Sequence, residues 1–179
     1  TPLAIKSGEL PKRAMLSYAE QGYSSGVPIL FLHGAKDSWR SFERTLSHLP
    51  ESIRAIALTQ RGHGDSSRPV TGYQSRDFAT DLAAFMDALG LNSAVIAGHC
   101  MGGYVAQRFA LDYPKRTQGL VLASSFPTMR GNPDVQELWD STISTLKDPV
   151  DREVVVSFQQ STLAQRVPDE FFETVVQES

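Results

Sequence analysis

The period of the apolar positions changes several times along the chain. Pro28-Ile29-Leu30-Phe31-Leu32, Ile53 to Leu58, Ala94-Val95-Ile96-Ala97 and Leu120-Val121-Leu122-Ala123 are short runs that are apolar at nearly every step. Strands covered on both faces carry that pattern. Met15-Leu16-Ser17-Tyr18-Ala19 alternates loosely instead and predicts an outer strand. Between these runs the spacing becomes helical. From Asp77 to Leu89, the residues Phe78, Leu82, Phe85, Met86 and Leu89 recur at three- and four-residue steps, and Gly90 follows as a stop. Met101 to Tyr113 is a second helix closed by Pro114, and Trp39 to Leu49 is a weaker one. Strands alternating with helices predict an α/β fold, a mainly parallel sheet flanked by helices.

The rhythm changes after Ser124. Asn132-Pro133 reads as an N-cap with proline at the first helical position. Val135, Leu138, Trp139, Ile143 and Leu146 then form a stripe. A further helix is expected from Asp151 through Phe158 to Leu163, and another from Pro168, with Phe171, Phe172, Val175 and Val176 on one face. Helices in succession without strands between them suggest a lid over the strand ends. The expected division is a core over residues 1–125 and a helical lid over 126–179. The strand Gly119 to Ser124 would then be an apolar edge in need of a cover.

Composition narrows the function classes. The chain has 179 residues, a formal net charge of −3, 41% apolar residues and 21% charged ones. This suits one domain with a real core. It gives no basic footprint for nucleic acid, and no apolar run reaches membrane-spanning length. The start, "TPLAIKSGELPKR", does not read as a signal peptide. With one cysteine no internal disulfide can form, and a reducing, cytoplasmic setting is expected. The four histidines, His33, His48, His63 and His99, lack metal-ligand spacing, so neither a metal nor a cofactor is expected.

The chemistry concentrates at Gly98-His99-Cys100-Met101-Gly102-Gly103, where an apolar run meets a helical one. A strand turning sharply into a helix through Gly-x-nucleophile-x-Gly needs small residues at Gly98 and Gly102, because bulk there would strike neighbouring chain. The side chain of Cys100 would stand at the electropositive helix tip, with the amide of Met101 aimed at a developing oxyanion. The strand ending Phe31-Leu32-His33-Gly34-Ala35 supplies a close loop, and the Ala35 amide would be the second oxyanion donor. Arg61-Gly62-His63-Gly64-Asp65-Ser66 reads as a loop satisfied by its own hydrogen bonds, with His63 structural. His99 is poorly placed to face its neighbour Cys100, and His48 reads as solvated. Trp39 and Trp139 read as core aromatics before pocket residues.

"FLHGAKDSW", "RGHGDSS", "GHCMGGYVAQRFALDYP" and "GLVLAS", in that order, resemble the α/β-hydrolase superfamily, most of all its esterase, lactonase and epoxide-hydrolase-like branch. The resemblance runs from about Met15 to Ser124. It implies a hydrolase of carboxylic esters or lactones, with Cys100 as nucleophile, Ala35 and Met101 as the oxyanion hole, and His33, Gly34, Gly98 and Gly102 as the structural frame. Serine is usual at position 100, so Cys100 is either an unusual natural nucleophile or an exchanged serine. Haloalkane and epoxide hydrolysis, which use Asp at that position, are other reactions of the same fold. The family order is nucleophile, acid, then histidine. Here no histidine follows His99, and no acid is assigned. The expectation is a fold incomplete on its C-terminal side, joined by a complementing C-terminal segment or by a second copy. A non-catalytic small-molecule-binding or receptor-like protein of the same fold is the remaining alternative.

Overall fold

The computed structural model describes residues 2–10, 14–128, 130–147 and 150–178. Six strands form one mixed sheet: β1 (Ala4–Leu10), β2 (Ala14–Gln21), β3 (Val27–Leu32), β4 (Ile53–Leu58), β5 (Ala94–His99) and β6 (Thr117–Ala123), in spatial order β1-β2-β4-β3-β5-β6. β4, β3, β5 and β6 run parallel, whereas β1 and β2 pair antiparallel with each other and β2 pairs antiparallel with β4.

The two-residue period of the strands divides their side chains between two cores. Leu30, Leu32, Ile56 and Leu58 face one side, under α2 (Ser75–Ala88) and α3 (Met101–Asp112). Phe31, Ala55 and Ala57 face the other side, where they meet Trp39, Phe42 and Leu46. The β3 and β4 runs are apolar throughout because both of their faces are covered. α2 begins where the Asp77 carboxylate accepts the Gln74 amide at 2.9 Å, and Gly90 follows it at a φ of 67°.

Several elements depart from the sequence reading. β2 is not the outer strand, because β1 lies outside it. β1 escaped notice because "AIKSGEL" mixes polar and small residues and offers little apolar alternation. Ionic contacts help hold it: Glu20 accepts from Lys6 of β1 at 2.5 Å and from Arg54 of β4 at 2.7 Å. Burial pushes Glu20 up, but these hydrogen bonds outweigh it and leave its pKa below the ordinary value. The weak helix over Trp39 to Leu49 resolves into a 3-10 turn (Trp39–Phe42) and a short α1 (Glu43–Leu46).

After β6 come α4 (Pro133–Ser141), α5 (Arg152–Thr162) and α6 (Asp169–Glu178). Asn132 caps α4 through its side chain, with Pro133 at the first turn. The stripe read on α4 is not a core stripe, since Leu138, Trp139 and Ile143 are exposed, while Trp39 is buried. Val155 and Gln159 of α5 and Val175 and Val176 of α6 are buried. β6 is the edge opposite β1, and its Leu120, Val121 and Leu122 are exposed. No helix among the described residues is long and apolar enough to cross a membrane.

Because Phe109 lies fully buried between α3 and the sheet whereas Leu111 on the same helix is exposed, truncating the two separates packing from helix propensity. Phe109→Ala is expected to cost about 3–5 kcal/mol in chemical denaturation, and Leu111→Ala less than ~0.5 kcal/mol.

Candidate active site

β5 enters α3 through one residue, Cys100, whose φ of 50° and ψ of −116° put a non-glycine residue in a backbone region that side chains disfavour. Such a conformation costs on the order of 1–3 kcal/mol and persists only where the surroundings enforce it. Its amide donates to Ala123 O of β6 at 3.1 Å. Its carbonyl accepts from the Gly103 amide at 3.0 Å and from Ser125 Oγ at 3.1 Å. The residue is partly exposed.

The flanking glycines are required by contact. A Cβ on Gly98 would lie 2.3 Å from Gly102 O, and one on Gly102 would lie 2.1 Å from Leu32 O and 2.7 Å from His33 O. Since these obstacles are backbone, no side-chain rotation relieves them. The start of α3 therefore sits directly against the end of β3. Gly34 is pressed on the same spot, because a Cβ there would be 3.3 Å from Cys100 Cβ and 3.3 Å from His99 Nδ1. The structure thus gathers His33, Gly34, Ala35, Gly98, Cys100, Met101 and Gly102 at the C-terminal ends of β3 and β5.

His33 orients the loop after β3. Its ring is fully buried; Nδ1 lies 2.7 Å from Gly34 O, and Nε2 accepts the Gln60 amide at 2.9 Å. With Nε2 accepting, the proton sits on Nδ1 and is donated to Gly34 O. In a trans peptide unit the carbonyl and the next N–H point in opposite directions. Fixing Gly34 O toward His33 therefore turns the Ala35 N–H away from it. Met101 opens α3, and its N–H belongs to the first turn, whose amides have no intrahelical partner. Burial above all, with the nearby His63 adding to it, pushes the His33 pKa down to about 3, so the ring stays neutral.

The other histidines have different work. His63 donates from Nδ1 to Arg61 O at 2.9 Å, and its ring meets His33 edge-on at 4.9 Å. Arg61 anchors that loop to α2 through two hydrogen bonds of 2.5 Å to Asp81. His48 contacts Arg44 O on the exposed side of the fold. The His99 ring lies over Gly34. Among the described residues the Cys100 thiol has no hydrogen-bonded histidine, and no cluster of three His, Cys, Asp or Glu side chains could hold a metal ion.

Sequence reasoning missed four supporting residues. Gln60 donates from Nε2 to His33 O at 2.9 Å. Ser125 pins the Cys100 carbonyl. Asp37 accepts the Ser38 amide at 3.1 Å, and burial raises its carboxyl above the ordinary range. Gln159 of α5 donates to Lys36 O at 2.7 Å. The first three lie in or beside the quoted motifs and were open to inspection. Gln159 reaches across 123 positions, and no local signal announces it.

The family profile for the alpha/beta hydrolase fold matches residues 27–172, which cover the elbow, the loop after β3 and most of the later helices. The chain belongs to the alpha/beta hydrolase fold family. Its relatives include 2-(acetamidomethylene)succinate hydrolase of Mesorhizobium japonicum, 34% identical over 115 residues, which are 64% of this chain and 41% of that protein. Soluble epoxide hydrolase of a Corynebacterium species is 36% identical over 103 residues, 58% of this chain and 36% of that protein. Among solved structures, Cfl2 from Burkholderia cenocepacia superposes with a TM-score of 0.83 at 24% identity, covering 99% of this chain and 66% of the other. That likeness concerns the fold. The chain spans about two fifths of the length of these two curated relatives.

Two outcomes follow from this geometry. Gly102→Ala is expected to destabilise by about 3 kcal/mol, because its methyl meets backbone. Gly119→Ala, whose methyl would meet only Val95 side-chain atoms at 3.6 Å or more, is expected to change stability by less than ~0.5 kcal/mol in the same denaturation assay. His33 is neutral when folded, so the unfolded chain takes up the proton first as pH falls. The stability it confers is complete above pH 6.5 and is lost progressively toward pH 3. Unfolding free energies at pH 7 and pH 5 are expected to fall by up to about 1.4 kcal/mol per unit from this group, and His33→Gln is expected to flatten the slope.

Proposed function

We propose that this chain is the nucleophile-bearing part of a hydrolase of carboxylic esters or lactones. The observation that carries this reading is the strained turn at Cys100, which sets the Cβ of a partly exposed cysteine beside Gly34 at the start of α3. In this reading Cys100 Sγ attacks the substrate carbonyl carbon as its S–H proton departs. The electron pair of the C=O bond moves to oxygen, and the amides of Ala35 and Met101 stabilise that oxyanion. Collapse breaks the bond to the alcohol oxygen, which takes the proton. The products are an acyl thioester on Cys100 and a free alcohol; a lactone leaves its alcohol tethered to the acyl group.

Hydrolysis of the thioester calls for a base and its orienting acid. We assign these to a complementing C-terminal segment or to a second copy of the chain, bound along the exposed apolar edge of β6. Exposure of Leu120, Val121 and Leu122 along that edge supports the assignment. α4 to α6 form the lid in this reading, since α5 and α6 touch the loop at the C-terminal end of β3. A reducing, cytoplasmic setting fits a mechanism that depends on one free thiol. Epoxide hydrolysis is the second reading, favoured by the Corynebacterium relative. In that reading Cys100 occupies the place of the Asp that such a reaction uses as nucleophile.

Aryl acetates test the first half of the reaction. Intact-mass spectrometry of the treated chain is expected to show one acetyl group on Cys100, bound stoichiometrically and released slowly. Cys100→Ala is expected to abolish the adduct. Absence of acylation, or an adduct that survives Cys100→Ala, contradicts the reading.

A further inference from the structure

The segment after the proposed oxyanion donor is held from outside the core. Lys36 follows Ala35 at a φ of 56°, a left-handed conformation that a residue with a Cβ adopts at a cost. Its carbonyl accepts the Gln159 Nε2 hydrogen bond of 2.7 Å from α5. Its ammonium lies 5.1 Å from the ring centroid of Phe158, the preceding residue of α5. Two residues on, Glu178 of α6 accepts from Ser38 Oγ at 2.8 Å and from Arg40 Nε at 2.9 Å. Gln159 is only 7% exposed, and a buried amide is costly unless its donors are used. The turn is thus fixed at Gly34 O by His33 and at Lys36 O by Gln159, and the Ala35 N–H lies between the two fixed carbonyls.

We infer that Gln159 is a positioning residue for the oxyanion hole. By holding the strained Lys36 peptide, α5 sets the direction of the Ala35 amide, so the position of the helices after β6 decides whether the second donor is in place. This inference rests on the ester-hydrolase reading. With the Gln159 bond absent, Lys36 relaxes toward negative φ, the turn shifts, and only the His33 hydrogen bond to Gly34 O is left to direct the Ala35 amide.

Two reactions of the same thiol separate this role from a general structural one. Acylation by an aryl acetate passes through an oxyanion, whereas alkylation by iodoacetamide displaces iodide at a saturated carbon and forms none. Both rates are measured on the 179-residue chain, with Gln160→Leu, an exposed neighbour on α5, as control. Gln159→Leu is expected to slow acylation roughly 10- to 100-fold while alkylation stays within about twofold of the parent, the margin expected when the thiol's surroundings are intact. Gln160→Leu is expected to leave both rates unchanged. If Gln159→Leu does not fold, Gln159→Met, close in length, carries the same comparison. Equal slowing of both reactions, or of neither, overturns the positioning role. A parent chain that acylates no faster than its urea-unfolded form overturns the oxyanion hole itself, and the role of Gln159 with it.

Discussion

A single disfavoured backbone conformation organises the molecule. Cys100 cannot hold its φ of 50° and ψ of −116° unaided, and three close approaches hold it there. Gly98 packs on the backbone of Gly102, Gly102 packs on the end of β3, and Gly34 packs on Cys100 itself. The first two require that a Cβ be missing, and the third leaves little room for one. Together they seat the start of α3 on the ends of β3 and β5 and leave Cys100 partly exposed. A helix start seated on the end of a neighbouring strand also brings the first-turn amides of α3 close to the loop leaving β3.

The second constraint is electrical. His33 is buried, without a carboxylate partner among the described residues, and remains neutral, so it can donate to Gly34 O and accept from the Gln60 amide at once. A protonated ring would lose the acceptor and break the link to Gln60, just after β4. The loop that follows depends on this neutral ring at one end. At the other end it depends on amide and carboxylate groups delivered by α5 and α6. Local strain, a buried neutral imidazole and long-range contacts from later helices therefore converge on one short turn.

Much of this was legible in the sequence, for physical reasons. β3 and β4 are apolar at nearly every position because both faces are covered, and α2 and α3 carry regular apolar faces; β6 carries a similar run with Leu120, Val121 and Leu122 exposed. The elbow was legible because only glycine fits at Gly98 and Gly102. β1 was not, since its sequence barely alternates and its neighbours fix it largely through ionic and backbone contacts. The stripe on α4 misled, because apolar spacing reports a face to be covered and does not name the cover; Leu138 and Trp139 stand exposed. Gln159 was beyond reach because its partner is distant along the chain and a lone glutamine has no pattern.

The claim that two backbone amides converge on the carbonyl oxygen of a group bound to Cys100 has a direct spectroscopic test. The thiol can be acylated with a carbonyl-13C acetyl group and the thioester stretch recorded by infrared difference spectroscopy in the folded chain and in urea. Two directed N–H donors predict a carbonyl band at lower frequency in the folded chain than in the unfolded one, and a smaller shift when the Ala35 amide is removed as Ala35→Pro. A folded-state band at or above the unfolded frequency would contradict the account, because the acyl oxygen would then have no such partners.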